Sequence, residues 1–176
     1  MRKGDWIDEA LDKHEAHLLR YAVSLIRDLD QARDVVQDTF LRLCRQDPAK
    51  VRDHVVPWLF RVCRNRILEL QRRDRRMEQL DVTTVDQLDD PAPTVVEEID
   101  RDEKLELVGR AMAGLTPNQQ EVMRLKFQAG LSYREISEVT GLTVGNVGFL
   151  LHTAIARVRD RLGVSESANR RFRRIK

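Results

Sequence analysis

The stretch LSYREISEVTGLTVGNVGFLLHTAIARVRDRL, residues 131–162, decides how the chain is read. Ser132 is a favourable N-cap, and Glu135 stands at the N3 position from which a capping box closes. Leu131 before the cap and Ile136 at N4 are placed for a hydrophobic staple. A first helix then runs through Val139 to Thr140, where Gly141 offers the left-handed residue that ends it. Thr143 caps a second helix, and Leu142 with Val147 repeats the staple. Val147, Leu151, Ala154, Val158 and Leu162 recur at steps of three and four, which gives that helix one apolar stripe. Gly145, Asn146, Phe149, His152, Thr153 and Ala156 lie on the opposite side. The pattern predicts a helix-turn-helix whose second helix keeps one face free for a DNA major groove. An ordinary helical hairpin shares this pattern, so the rest of the chain has to discriminate.

With 176 residues the chain has room for one or two small domains with cores of their own. Charged residues are plentiful, and aromatics, Gly and Pro sparse, which favours a helical fold. The net charge of +2 says little by itself; its distribution says more. No apolar run is long enough to span a bilayer, and MRKGDWIDEALDK lacks the apolar core of a signal peptide, so the expected location is cytoplasmic, without membrane insertion. Cys44 and Cys63 form no CxxC and are expected as small buried hydrophobes. His14 and His17 have no Cys or acidic partner at ligand spacing, so no metal and no cofactor is expected.

Toward the N-terminus, Ile7, Leu11, His14, Leu18, Tyr21 or Ala22, and Leu25 fall at helical spacing over residues 6–27. A second helix, DQARDVVQDTFLRLCRQ, is capped by Asp28 or Asp30 and ends at Asp47-Pro48. Val36, Phe40 and Leu43 form its inner stripe, with Asp34, Gln37, Asp38 and Arg42 outward. A third helix covers about residues 57–76, with Leu59, Val62, Cys63, Ile67 and Leu70 buried and Pro57 in the first turn. Arg61, Asn65 and Arg72 lie on its far side with Arg64 nearby, and Arg73, Arg75 and Arg76 finish the run. This cluster is the electrostatic footprint of phosphate binding.

Residues 77–103 change character: Asp86, Asp89, Asp90, Glu97, Glu98 and Asp100 are among the acids there, and Arg101 alone opposes them. Such a segment buries little and reads as a flexible linker. A helix near residues 103–113 follows. Then Thr116-Pro117 opens another, with Gln119 at N3 of a second capping box; Val122, Leu125 and Phe127 or Ala129 supply its core, and Gly130 stops it. The expected fold is therefore all-α: two small helical domains, 1–76 and 104–163, joined by the acidic linker 77–103 and followed by a basic tail, 164–176.

In order, these pieces resemble the sigma factors of bacterial RNA polymerase, in the two-domain extracytoplasmic-function group. RDVVQDTFLRL is similar to the family's region 2.2 and WLFRVCRNRILELQRRDRR to regions 2.3 to 2.4. LTPNQQEVMRLKFQAGLSYREISEVTGLTVGNV is similar to region 4. The resemblance implies a subunit without catalysis of its own, whose partners are core polymerase, promoter DNA and an anti-sigma factor. It places Asp34, Gln37, Asp38 and Phe40 where the family docks on the clamp helices of the polymerase largest subunit. It places Arg61, Arg64, Asn65 and Arg72 on the helix that meets the opened minus-10 element, where cations hold phosphates and exposed bases are held by stacking or a pocket. Residues 51–56 take the place of the base-capturing loop, with His54 the candidate there, while Trp58 is expected in the core. The linker would lie in the polymerase's active-site and RNA-exit channels.

For the minus-35 element the expected residues are Tyr133, Arg134, Thr143, Gly145, Asn146, Phe149, His152 and Arg157. The chain departs from the family here. Where relatives place Lys and Arg after the Val of the recognition helix, it has Gly148, Phe149 and Leu150. The face therefore offers amide, imidazole and aromatic groups: Asn146 suits an adenine edge and Phe149 a thymine methyl. Phosphate attraction would fall to Arg134, Arg157 and Arg161. The competing reading is a helix-turn-helix regulator that binds DNA without polymerase, for which the outward face of residues 34–43 has no use.

Overall fold

The computed structural model describes residues 5–80 and 108–162. These are helical, with no strand among them: α1 (Asp5–Ile26), α2 (Leu29–Cys44), α3 (Pro48–Val51), a single 3-10 turn (Arg52–His54), α4 (Val55–Leu80), α5 (described over 108–113), α6 (Pro117–Phe127), α7 (Tyr133–Thr140) and α8 (Val144–Arg161). Most of the acidic linker, including Asp86, Asp89 and Asp90, and the basic tail lie outside the described residues. Two compact units form, Met1–Val85 with Arg124–Val147, and Asp86–Met123 with Gly148–Lys176.

In the first unit α1, α2 and α4 pack pairwise on one another, and α7 packs on α4. At the centre the Tyr21 and Phe60 rings meet edge to face, with centroids 5.5 Å apart. Leu18, Ala22, Leu43, Leu59, Cys63 and Ile67 close around them, all fully buried. The face of α1 differs from expectation: Trp6 and Ala10 are buried, whereas Ile7, Leu11, His14 and Leu25 are half-buried. The indole is the largest apolar surface at that end, and turning it inward rotates the stripe by one residue. Burial holds the half-buried His14 below its ordinary pKa, with His17 and Lys13 acting in the same direction and Glu135 against it.

Local chemistry fixes the joints. Arg27, with φ of 60°, ends α1 in the left-handed region usually given to glycine, and its N–H reaches Val23 O at 2.8 Å. Asp28, rather than Asp30, caps α2 by accepting from Gln31 N at 3.0 Å. Asp47-Pro48 does not itself end α2, which stops at Cys44 with Arg45 as its C-cap; Asp47 instead accepts from Ala49 N at 3.1 Å and so starts the short helix α3. Residues 48–54 are thus a helical turn and a 3-10 turn, helped by Pro48, which pre-sets φ behind an aspartate cap; the stretch 51–56, given by resemblance to a loop, is therefore largely helical. Helix α4 begins two residues before Pro57 and extends past Arg76 to Leu80. Proline is tolerated at its third position because first-turn N–H groups have no intrahelical acceptor. Cys63 is buried as expected, but Cys44 is exposed as the last residue of α2.

In the second unit Ala111, Leu115, Val122, Leu151 and Ala154 are buried. Thr116 and Gln119 cap α6 reciprocally: Gln119 N donates to Thr116 Oγ1 at 3.4 Å and Thr116 N to Gln119 Oε1 at 3.2 Å. Of Phe127 and Ala129, the alternatives expected to complete the core of this segment with Val122 and Leu125, Phe127 is 63% exposed and Ala129 half-buried.

Phe60→Ala removes a fully buried ring and is expected to cost about 3–5 kcal/mol in urea unfolding of the full chain. Leu41→Ala, on the exposed side of α2, is expected to stay within about 0.5 kcal/mol of wild type.

Candidate nucleic-acid interface

Two helices present polar faces because their opposite faces are committed to the core. On α2, Asp34 and Gln37 are exposed. Asp38 is partly covered and accepts from Arg42 Nε at 3.0 Å, with Arg66 Nε of α4 at 3.9 Å. Phe40 does not join this outward set: at 7% exposure it faces the core, as its place in the stripe with Val36 and Leu43 requires. The exposed apolar groups of α2 are Leu29 and Leu41, which lie off its buried stripe.

On α4, Leu59, Cys63 and Ile67 point inward. Arg61, Asn65, Arg72 and Arg76 are exposed and share one face, since steps of four, seven and four residues approximate whole turns. Arg64 is half-buried beside them, and Arg66 is engaged by Glu69 at 3.2 Å. His54 is exposed at the start of this face and lines a cleft with Pro57, Trp58, Arg61 and Glu138. Trp58 is half-buried, between the core expected for it and a stacking position.

The stretch 131–162 folds as its end signals direct. Ser132 N donates to Glu135 Oε2 at 2.8 Å and Glu135 N to Ser132 Oγ at 3.3 Å, which closes the capping box. Gly141 ends α7 at φ 77°, its N–H bonded to Ser137 O at 2.9 Å. Thr143 Oγ1 accepts from Asn146 N at 3.2 Å and so caps the start of α8. Thr143, Gly145, Asn146 and His152 are exposed, and Phe149 is 66% exposed. An aromatic ring left in water at that level stands out on a face otherwise polar or small.

Tyr133 is exposed at the start of α7, with Lys126 Nζ 5.6 Å from its ring centroid. Arg134 lies 3.6 Å from Glu138 across a turn, an exposed pair that holds it only loosely. Arg157 differs: its Nη1 donates to the side chain of buried Gln119 at 2.9 Å. Sequence reasoning had given Gln119 only a capping role, and nothing in a linear pattern links residues 119 and 157. Among the described residues no three His, Cys, Asp or Glu side chains gather as a metal site.

Comparison with known proteins matches residues 10–77 to Sigma-70 region 2 and residues 105–158 to Sigma-70, region 4. The ECF RNA polymerase sigma factor SigL of Mycobacterium tuberculosis is 34% identical over 160 residues, which cover 88% of this chain and 89% of that protein. The ECF RNA polymerase sigma factor SigM of Bacillus subtilis is 26% identical over 162 residues, covering 87% and 93% respectively. In fold, the chain is similar to the sigma factor RpoE of Bartonella quintana, crystallised with the anti-sigma factor NepR. The TM-score is 0.69 at 24% identity, over 90% of this chain and 98% of that one. A chain helical throughout its described residues that carries region 2 followed by region 4 is of the sigma-70 class. More narrowly, this chain belongs to the ECF RNA polymerase sigma factors.

A Cβ added at Gly145 meets nothing within 4 Å, so Gly145→Ala is expected to stabilise α8 by about 0.5–1 kcal/mol. Gly141→Ala, at positive φ, is expected to destabilise by about 1 kcal/mol. Urea unfolding midpoints of the two variants check both signs.

Proposed function

We propose that this sigma factor divides its work along the chain. Residues 1–76 dock on core RNA polymerase and hold the opened minus-10 element, and 104–163 read the minus-35 element. The acidic strap 77–103 runs through the polymerase channels until RNA displaces it, and the basic tail 164–176 adds phosphate attraction. Asp34, Gln37 and Asp38 of α2 meet the polymerase, with exposed Leu41 supplying apolar contact in place of buried Phe40. Arg61, Arg64 and Arg72 hold the backbone of the melted strand, Asn65 contacts bases, and His54 stands where a flipped base is received. The observation that carries this reading is one helical unit bearing two separate outward polar faces: one of mixed charge on α2, with Asp34, Gln37, Asp38 and Arg42, and a cationic one on α4. A regulator acting alone has no use for the first.

On α8, Asn146, Phe149 and His152 read base edges, while Thr143 and Gly145 bring the helix N-terminus close to phosphate. Tyr133 and Arg134 of α7 contact the neighbouring backbone. With few cations on this face, isolated binding to the minus-35 element is weak and recruitment depends on the polymerase. The chain contributes no catalysis of its own and acts where the polymerase is, in the cytoplasm. No single helix among the described residues is long and apolar enough to cross a membrane. Because RpoE, a relative in fold, is bound by an anti-sigma factor, an inhibitor of that kind is a proposed partner here too.

The test is transcription by holoenzyme reconstituted with bacterial core polymerase. Phe149→Ala should lower discrimination at one minus-35 position about tenfold or more, the worth of one lost base contact, and leave minus-10 preference alone. Arg72→Ala should weaken all promoters alike and reduce the salt slope of binding by about one. Unchanged minus-35 preference in the first variant contradicts the base-reading role of α8.

A further inference from the structure

Among the described residues the buried polar side chains are Thr39 and Gln119. Thr39 bonds within its own helix, to Val35 O at 2.8 Å. Gln119, 4% exposed, instead joins separate elements. Its Oε1 accepts from Thr116 N at the cap of α6 and from Arg157 Nη1 of α8, at 3.2 and 2.9 Å. Its Nε2 donates to Thr153 Oγ1 at 2.9 Å. The Thr153 hydroxyl lies 2.9 Å from Phe149 O and 3.1 Å from Leu150 O, so it can donate back into α8. One turn beyond Arg157, Arg161 Nη1 donates to Ala111 O at 3.3 Å, and its guanidinium occupies the space a side chain on Gly114 would need. Two arginines four residues apart thus grip both sides of the turn between α5 and α6.

The geometry bears on orientation. Phe149, Thr153 and Arg157 form one i, i+4, i+8 row on α8, so the row that carries the exposed ring ends bonded to Gln119. The buried seam of α8 is slight: Val147, Leu151 and Ala154, narrowing to a methyl. Small side chains resist rotation about a helix axis weakly, whereas directional bonds to a buried amide specify one setting.

We propose that Gln119, Thr153 and Arg157 form a latch that sets the rotation of the recognition helix. Arg157 is then a positioning residue and not the phosphate contact its place in a DNA-reading helix suggests. The consequence for promoters rests on the minus-35 reading above; the latch itself does not.

The test uses the full chain with core polymerase and promoter fragments carrying a preferred or a scrambled minus-35 element. Gln119→Ala and Arg157→Ala should each lower discrimination between the two about tenfold, the effect of one lost charge-assisted hydrogen bond. The double variant should lose no more than the worse single, since both break one connection. The salt slope of binding should not change. Gln119→Glu keeps the acceptors for Arg157 and Thr116 and should restore most discrimination. Should Gln119→Ala unfold, Arg157→Lys carries the test: it keeps the charge, loses the planar fork, and should lose discrimination at an unaltered slope. Discrimination intact in Arg157→Ala, additive losses, or a slope reduced by about one overturns the latch. If wild-type holoenzyme ignores the minus-35 sequence, the promoter reading fails separately. The latch then stands or falls on whether Gln119→Ala and Arg157→Ala are coupled or additive in urea unfolding of the free chain.

Discussion

Everything α4 presents to the outside follows from what it buries. Leu59, Phe60, Cys63 and Ile67 are sealed against α1 and α2, and the edge-to-face contact of Phe60 with Tyr21 fixes the helix about its axis. Each large side chain buried there contributes about 1.5–3 kcal/mol, whereas exposed ion pairs such as Arg66–Glu69 contribute about 0–1 kcal/mol. The apolar side therefore decides the orientation, and Arg61, Asn65 and Arg72 face outward as its consequence. The cations need no partners to hold them in place, so they remain available to a polyanion.

The same rule governs α8 with a narrower seam, and the chemistry of its free face is different. Where α4 offers charge, α8 offers an amide, an imidazole and an exposed phenyl ring. Charge supplies affinity that salt weakens, while base-edge contacts supply choice. A subunit that arrives on a polymerase already held near DNA has little need of further attraction at that site. It needs discrimination, which in turn needs a recognition helix held in one rotation. Gln119, reaching from the cap of α6 to Thr153 and Arg157, supplies that fixity with bonds that apolar packing around Ala154 does not provide.

What the sequence made legible was local. The Ser132–Glu135 box, the Gly141 stop, the Thr143 cap and the Thr116–Gln119 box all involve groups within a few residues of one another, and each forms as its spacing implies. The stripe of α2 was legible because one face is plainly apolar; that of α4 was legible at Leu59, Cys63 and Ile67, whereas Val62 and Leu70 are half-buried and Phe60, outside the expected stripe, is fully buried. The errors arose where a tertiary choice intervened. Trp6 and Ala10 displaced Ile7 and Leu11 because a bulky ring won the inward position. Arg27 took a left-handed turn that no glycine announced. Pro48 behind Asp47 started a short helix that the helical spacings had not marked. Phe127 and Cys44, each the last residue of its helix, ended outside. Phe40 was assigned both to a stripe and to a docking face, and only burial resolves which. The Gln119–Arg157 bond spans 38 residues and has no periodic signature.

The central claim is that two outward faces, set by two buried ones, tell another enzyme where to begin. The direct measurement is to add the purified full chain to bacterial core polymerase on genomic DNA and map the 5′ ends of the transcripts. A discrete set of start sites, each preceded by shared minus-35 and minus-10 sequences and absent with core alone, is the expected result. Transcripts that begin at the same scattered positions with and without the chain would contradict the account.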